Sequence, residues 1–410
     1  MSIRATSIAV LVLLTGTRST NRETGMRIAA HPDRLTVHEW GTFTTVAGPD
    51  GRAVDWLPLG GPTDLPCFVE HYRNRRDAKI APNQPALLDY VSARANLWGK
   101  VRMETPVLYF YAREPMTLNV TVRFPHGLMT EWYPHATVTQ PVVDKSSLRR
   151  VNQESVISWP NVTVSPDGPT DFPSGEGESH YYAARNTDAA PVTVGGQRER
   201  FLFYRGVASF DVPLSASALG DGRVRVRNSA GSPMGGVILF ENRGGAIRYR
   251  VVDTLSGEAT VSLSAASGSV ASLRSELERA LVSAGLYPRE ARAMVDSWHD
   301  SWFEEGTRVF YIVPPRSVDA ILPLRVTPAP ASIARVFVGR MEVITPETER
   351  AVQDSIAHGD TALLERHGRF LGPIADAILA RTSDAALRQR IAATTSTTFA
   401  SYVGRARTCS

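Results

Sequence analysis

The 410-residue sequence is poor in lysine and in cysteine. Lysine occurs only at Lys79, Lys100 and Lys145, so arginine supplies nearly all of the 45 basic residues. The two cysteines, Cys67 and Cys409, are too few for the disulfide framework of a small secreted domain. Because Cys67 lies in the apolar stretch DLPCF, we predict that it is a small buried side chain.

Long apolar runs and the common catalytic motifs are also missing. No stretch reaches the roughly 20 apolar residues that a transmembrane helix needs, so we expect no stable transmembrane anchor. The sequence contains no G-x-S-x-G, H-E-x-x-H, Walker A, G-x-G-x-x-G or protein-kinase motif. A site assembled from distant segments leaves no such motif, so these absences do not decide between an enzyme and a non-enzyme.

The charges are mixed along the chain rather than grouped. The 45 basic and 41 acidic residues give a net charge of +4. The most basic stretch, RNRR at residues 73–76, is followed directly by Asp77. No run of basic residues predicts the charged stripe of a nucleic-acid-binding face, so we expect no nucleic-acid partner.

The amino-terminal segment is typical of a secretory signal peptide. Arg4 supplies a positive charge, residues 8–14 (IAVLVLL) form an apolar core too short to span a bilayer, and residues 15–17 (TGT) are small enough for cleavage. We therefore assign residues 1–30 to a signal peptide and linker. The prediction is an exported protein, periplasmic or extracellular.

Residues 31–267 show the two-residue period of β-strands. Residues 116–124 (MTLNVTVRF) alternate between apolar and polar side chains, and short β-prone runs recur between Gly-, Pro-, Asn- and Asp-rich turns. We predict an antiparallel β-sandwich for this region, as one large domain or two small ones.

Residues 268–410 change to a helical period. Leucines at 273, 277 and 281 form a stripe, Pro288 predicts a second helix reaching Gly306, and Pro346 predicts a third ending near His358. Strands are expected at residues 308–313 and 335–344. The predicted fold class is thus a β-rich α+β protein, with an antiparallel β-sandwich body followed by a mostly helical carboxy-terminal region.

The chemistry of the sequence is concentrated in clusters of polar and aromatic residues. Imidazole and carboxylate groups are candidate zinc ligands, and carboxyls beside aromatic rings are candidate general acids. Since arginine-paired carboxylates and hydrogen-bonded histidines give the same sequence pattern, we predict no metal and assign no cofactor. The candidate catalytic residues are His38, Glu104, Glu131, His180 and Arg185.

Aromatic side chains in the same clusters suit a different role. Tryptophan and tyrosine flanked by arginine can stack on a sugar or a peptide, although the same residues also form sandwich cores. The candidate ligand-binding residues are Trp40, Trp132, Tyr133, Tyr181, Tyr204 and Arg205.

These clusters also carry a resemblance to other proteins. The motifs are HEWGTFT (residues 38–44), METPVLYFY (103–111), EWYP (131–134), SHYYAAR (179–185), FLFYRG (201–206) and ILFENRGG (238–245), followed by SWFEEGTR (301–308) and VGRMEVITPE (338–347). In these segments the chain resembles a group of uncharacterised exported bacterial hypothetical proteins. The resemblance covers most of the sequence after residue 37, and it implies export.

Two functions follow from this sequence. The leading hypothesis is an exported binding or structural module that recognises a glycan, a peptide or a cell-envelope partner. The alternative is an extracytoplasmic hydrolase, assisted by carboxylates or a metal, with its site at the polar-aromatic clusters. We expect the candidate catalytic residues to come together, because unpaired charges are costly inside apolar strands. Glu104 and Glu131 should each have an arginine or histidine within hydrogen-bonding reach, with Arg185 as the expected partner.

Overall fold

The computed structural model describes residues 34–60, 65–72, 97–140, 154–175 and 179–404. The predicted signal peptide and linker lie outside these ranges, as does the basic stretch at residues 73–76. Within the described residues, no helix is both long enough and apolar enough to cross a membrane.

Strands make up most of the structure. In chain order they are β1 (Thr36–Ala47), β2 (Glu70–His71), β3 (Val101–Tyr111), β4 (Met116–Phe124), β5 (Gly127–Tyr133), β6 (Thr137–Thr139), β7 (Ser155–Val164), β8 (Val192–Val194), β9 (Gln197–Glu199), β10 (Leu202–Ala208), β11 (Leu214–Gly220), β12 (Arg223–Asn228), β13 (Met234–Arg243), β14 (Ala246–Leu255), β15 (Glu258–Ser262), β16 (Gly306–Ile312), β17 (Leu324–Thr327) and β18 (Ser332–Val343).

The strands form three sheets. The central sheet has nine strands in the order β14-β13-β16-β18-β1-β3-β10-β5-β2, a six-stranded sheet contains β4, β6, β7, β8, β9 and β17, and a three-stranded sheet has the order β11-β12-β15. Most neighbours are antiparallel, as predicted, but β1 and β18 pair in parallel from Thr36–Ser332 to Ala47–Val343.

Most of the helices lie in the carboxy-terminal third of the sequence. They are α1 (His180–Ala183), α2 (Val270–Ser283), α3 (Pro288–Ser297), α4 (Pro315–Ile321), α5 (Pro346–His358), α6 (Thr361–Arg366), α7 (Leu371–Arg381) and α8 (Ala385–Gly404), with a 3₁₀ turn at Gly368–Phe370. The predicted change from strands to helices near residue 267 falls between β15 and α2. Strands β16 and β18 nevertheless join the same sheet as β1, so both predicted regions contribute to one sheet.

Burial explains the two kinds of strand sequence. In β4 only alternate residues are buried, which is the pattern of a strand with one solvated face. Every residue of β1, β3 and β10 is buried, because these central strands are covered on both faces.

One core joins the central sheet to the two smaller sheets. A second core lies between the central sheet and helices α1, α2 and α3, and a third packs against α5, α7 and α8.

Helix α3 is shorter than the sequence predicts. It ends at Ser297 rather than near Gly306, although Trp302 is buried as expected. The guanidinium group of Arg308 on β16 donates hydrogen bonds to the backbone carbonyls of Trp302 at 2.7 Å and Glu305 at 2.6 Å. These contacts satisfy carbonyl groups of the turns at residues 298–305, which replace the predicted helix.

The environment of Cys67 differs from the prediction. Its side chain is exposed rather than buried, and it is disulfide-bonded. The sequence contains one other cysteine, Cys409, which lies outside the described residues.

Candidate functional site

The middle of the central sheet is irregular on adjacent strands. The pairing of β1 with β3 shifts between Trp40 and Thr42, and that of β10 with β3 shifts between Phe203 and Gly206. Between them, Thr105 on β3 has a φ of 47°, a conformation that is strained for a β-branched residue. Bulges and strained residues occur preferentially beside functional sites.

Glu131 and Arg205 occupy this irregular region. They are direct neighbours on β5 and β10, and His71 on β2 is the neighbour of Glu131 on its other side. Glu131 and Arg205 are each only 3% exposed. The guanidinium group of Arg205 lies 5.9 Å from the ring centre of Trp298. The sheet therefore places the carboxyl group of Glu131 beside the guanidinium group of Arg205, near the turns that follow α3.

His180 reaches the same turns from the other side. Its Nε2 atom lies 2.7 Å from Oδ2 of Asp300, and its ring lies 5.9 Å from that of Trp298 and 5.7 Å from that of His299. Although partial burial opposes ionisation of Asp300, the hydrogen bond and charge of His180 hold the pKa of that carboxyl below its usual value. Two of the five candidate catalytic residues are thus connected: His180 lies beside Trp298, Trp298 lies beside Arg205, and Arg205 is the neighbour of Glu131.

Arg185 has a structural environment. It donates to both carboxylate oxygens of Glu199, with 2.9 Å between Nε and Oε1, and it does not pair with Glu104 or Glu131 as predicted. Its guanidinium group also lies 4.9–5.9 Å from the ring centres of Phe68, Phe172, Tyr181 and Tyr182. The residue fastens the segment after α1 to β9.

Glu104 lies in a buried cluster of charges on the central sheet. Arg369 donates to both of its oxygens, Nε of Arg102 lies 3.0 Å from Oε1, and the Thr44 hydroxyl donates to Oε2 at 2.5 Å. Burial alone would raise the pKa of Glu104, but these arginines and the hydroxyl lower it to about 2. A carboxyl held in its ionised form in this way is a poor general acid at neutral pH.

His38 connects β1 to helix α3. Its Nδ1 atom lies 2.8 Å from Oε2 of Glu290, and the hydroxyl of Tyr111 donates to the other oxygen of Glu290 at 2.7 Å. Glu290 also accepts the backbone N–H of Tyr287 at the start of α3. His38 and Glu290 are 5% and 0% exposed, so this contact is a buried link between sheet and helix.

The candidate ligand-binding residues are buried. Trp40, Trp132, Tyr133, Tyr181, Tyr204 and Arg205 are between 0% and 8% exposed. Two of them have internal hydrogen-bond partners: the Trp132 ring N–H donates to Glu70 at 2.9 Å, and the Tyr204 hydroxyl donates to Glu39 at 2.5 Å. Burial raises the pKa of Tyr133 to about 12. In this structure none of the six offers an open face on which a glycan or peptide could stack.

An arginine row on the three-stranded sheet was not anticipated from the sequence. Arg223, Arg225 and Arg227 alternate on the middle strand β12 with Val224 and Val226, which are 1% and 0% exposed. The arginines therefore all point away from the core. The row was not predicted, because its arginines alternate with valines instead of following one another in the sequence. The period-two pattern RVRVR was the signal that could have revealed the row.

The other positions on the exposed face of this sheet are mostly small and polar. Ser215 and Ser217 on β11 pair with Arg227 and Arg225, while Thr260 on β15 pairs with Arg225 from the other side. Successive arginines are about 7 Å apart along the strand, from a rise of roughly 3.4 Å per residue. The face is thus a line of three guanidinium groups bordered by hydroxyls and by one carboxylate, that of Glu258, the neighbour of Arg227 on β15.

The carboxylates near this row make only loose ion pairs. Glu258 lies 3.5 Å from Nε of Arg225, and Asp221 lies 3.9 Å from Arg223. The arginine side chains of both pairs are about half exposed. Arg227 forms no ion pair with any residue that the structure describes. Exposed pairs of this kind contribute at most about 1 kcal/mol, so the guanidinium groups are available to an external anion.

Two cavities lie elsewhere in the described structure. One, of about 440 Å³, lies between α2 and the ends of β13 and β14. The other, of about 270 Å³, is bordered by Arg243, Glu305, Arg366 and His367. Burial, together with the charges of nearby arginines, lowers the pKa of His367 to about 4, so this histidine is neutral at pH 7.

Comparisons with known proteins add little to this description. No protein-family model and no curated protein matches the sequence. Among solved structures, the chain is similar to the "Fcho1 Mu homology domain (Danio Rerio) with bound Eps15 peptide", at 9% identity and a TM-score of 0.28, over 76% of this chain and 96% of that one. A likeness of this size supports no argument about fold or function.

Proposed function

We propose that this protein is an exported binding module that recognises an acidic glycan of the cell envelope. The observation that carries the proposal is the row of Arg223, Arg225 and Arg227 on the exposed face of the three-stranded sheet. Guanidinium groups bind carboxylate, sulfate and phosphate groups through paired hydrogen bonds. Three of them at a regular spacing match a polymer that repeats its negative charge.

Export is part of the proposal. The apolar core at residues 8–14 supports it, and so does the disulfide bond of Cys67, because disulfides persist mainly in oxidising compartments. Outside the cytoplasm, acidic polysaccharides are a more accessible polyanion than nucleic acid. Mass spectrometry of protein from its native host should find the first fifteen or more residues missing. An intact amino terminus in a cytosolic fraction would contradict export.

The shared core of the three sheets suits a sandwich, which is how we interpret the β region. In this arrangement the three-stranded sheet turns its apolar side chains, such as Val224 and Val226, toward the common core. The opposite face of the same sheet is then free to bind a ligand without any change in the core. Binding would need only side-chain adjustment of the arginines.

The hydrolase alternative has less support. Glu104 is ionised and surrounded by arginines, and the aromatic residues proposed to hold a substrate are buried. Glu131 and Arg205 are cross-strand neighbours, which is the arrangement of a structural ion pair. We therefore keep the binding module as the leading function.

The test is binding to immobilised polysaccharides. We expect the protein to bind a carboxylated alginate and a sulfated dextran, and not neutral dextran. Affinity should fall roughly tenfold or more between 50 and 200 mM salt, because the exposed charges are screened and counterions are released. Double-stranded DNA serves as a polyanion of a different shape, and preference for DNA over both polysaccharides would contradict the proposal.

The matched variants change three arginines at a time. Replacement of Arg223, Arg225 and Arg227 by Gln should abolish most of the binding. The control replaces Arg279, Arg292 and Arg350, whose side chains are 67–69% exposed and lie beside carboxylates on helices. Both variants lose the same charge, so equal loss of binding in the two would show that only net charge matters and would refute a site on β12.

A further inference from the structure

Three side chains from two separate segments present metal-ligand atoms to one point. Ligand atoms of His180, His299 and Asp300 all lie within 4.8 Å of one another. Within the described part of the chain, this is the one group of three or more His, Cys, Asp or Glu residues with that geometry. The Nε2 atom of His180 and Oδ2 of Asp300 already lie 2.7 Å apart.

The fold brings these residues together from positions 120 residues apart. His180 is the first residue of α1, whose start is fixed by the Ser179 side chain accepting the Tyr181 N–H. His299 and Asp300 follow α3, which ends at Ser297 and is capped by Trp298. Contacts between α1 and α3 hold the two segments side by side. The arrangement is therefore a product of the tertiary structure and leaves no motif in the sequence.

The second ring nitrogen of His299 has the partner that a metal-bound histidine normally has. Its Nδ1 atom lies 2.9 Å from the backbone carbonyl oxygen of Asp296. If Nδ1 donates to that oxygen, the proton is fixed there and Nε2 is left with a lone pair. Metal-binding histidines commonly use a carbonyl in this way, which sets both the tautomer and the orientation of the ring.

From this geometry we infer that His180, His299 and Asp300 form a binding site for a zinc ion. Two imidazoles and one carboxylate are the ligand types of Zn²⁺, whereas Ca²⁺ and Mg²⁺ prefer oxygen ligands alone. Three protein ligands are one fewer than a closed structural zinc site uses, so a water molecule or an external ligand completes the coordination. This site is independent of the arginine row and of glycan binding.

Binding requires that one proton leave the site. The proton shared by Nε2 of His180 and Oδ2 of Asp300 is replaced by the metal ion, and it passes to solvent. The side chain of Asp300 is 55% exposed and that of His180 is 19% exposed, so solvent has access to both.

The experiment is equilibrium dialysis of the metal-free full-length protein against Zn²⁺ at pH 7.5. We expect one zinc ion per chain, and roughly 100-fold weaker binding after His299→Ala or Asp300→Asn. Both residues are exposed, so these variants should fold; circular dichroism checks this. Cobalt provides a second readout, because Co²⁺ bound to nitrogen and oxygen ligands absorbs in the visible range and the variants should lose that spectrum.

Two control variants separate this site from ordinary surface histidines. His135 lies 2.8 Å from Glu70 as an exposed pair without a second histidine, and His358 is an exposed histidine whose Nδ1 contacts a backbone carbonyl. Neither His135→Ala nor His358→Ala should change the zinc stoichiometry or affinity. The inference is overturned if the wild-type protein binds no zinc. It is also overturned if a variant that carries both His299→Ala and Asp300→Asn binds zinc as tightly as the wild type.

Discussion

Arg369 donates two hydrogen bonds to the carboxylate of Glu104, although 265 residues separate them in the sequence. The contact fixes the 3₁₀ turn at Gly368–Phe370 onto strand β3. Glu104 is 0% exposed, and the ring of Phe370 lies 5.1 Å from the guanidinium group of Arg369. A buried carboxylate of this kind depends on its arginine partners to remain ionised.

We predict that Glu104→Ala destabilises the protein by roughly 3–5 kcal/mol, because it leaves buried arginines without their counter-charge. Urea denaturation followed by circular dichroism measures this change. The control is Glu154→Ala. Glu154 forms a similar two-point pair with Arg123 at an exposed position, and its loss should cost at most about 1 kcal/mol.

Glu131→Ala should be destabilising in the same direction, because Arg205 lies beside it and is almost fully buried. Removal of a catalytic carboxylate behaves differently: it commonly preserves or raises stability. Unchanged or higher melting temperatures for both Glu104→Ala and Glu131→Ala would contradict the structural role and favour the hydrolase.

The stability of the protein should depend on the protonation of His367. Its pKa is lowered to about 4 by burial and by neighbouring arginines, below the ordinary value of about 6.5. Between these two pH values the unfolded chain binds a proton that the native histidine does not bind, so stability rises with pH in this window. His367 thus accounts for a loss of roughly 3 kcal/mol as the pH falls from 7 to 4.

The variant His367→Gln isolates this contribution. The free energy of unfolding, measured in urea at pH 7, 5.5 and 4.5, should fall less steeply toward acid than that of the wild type. His358→Gln, at an exposed position, should leave the slope unchanged. A wild-type slope in the His367 variant would show that this histidine does not titrate as the structure indicates.

Arg185 should not be replaceable by lysine. Its flat guanidinium group bonds both oxygens of Glu199 and lies against four aromatic rings, and a lysine ammonium cannot do both. Arg185→Ala should cost roughly 3–5 kcal/mol, because Glu199 is 0% exposed, and Arg185→Lys should recover only part of this. Arg198→Lys, at the exposed pair with Asp171, is the control and should be nearly neutral. Full recovery by lysine would contradict the argument.

The disulfide of Cys67 should be detectable by peptide mapping without reduction. The disulfide-linked peptide that contains Cys67 should disappear after reduction. Loss of a native disulfide typically costs about 2–5 kcal/mol, so reduction should lower the melting temperature. Recovery of Cys67 as a free thiol in protein purified from its native host would contradict the bond.

Local patterns in the sequence were sufficient for many of the elements. Alternation in residues 116–124 predicted β4, and Thr345 followed by Pro346 predicted the start of α5, because both depend on the chain's own period and capping. The strands at residues 308–313 and 335–344 were predicted as well. The alternation of arginine and valine in β12 was also present in the sequence, but its meaning depends on knowing which face is buried.

The pairs that the charged residues form depend on the tertiary structure. Glu104 pairs with Arg369, His38 with Glu290 and Arg185 with Glu199, and none of these partners follows from sequence spacing. The same holds for His180 and Asp300. The order of residues alone shows that polar side chains enter apolar strands, and therefore that they need partners. The choice of each partner is set by strand register and by the packing of helices on the sheet, which bring distant segments together.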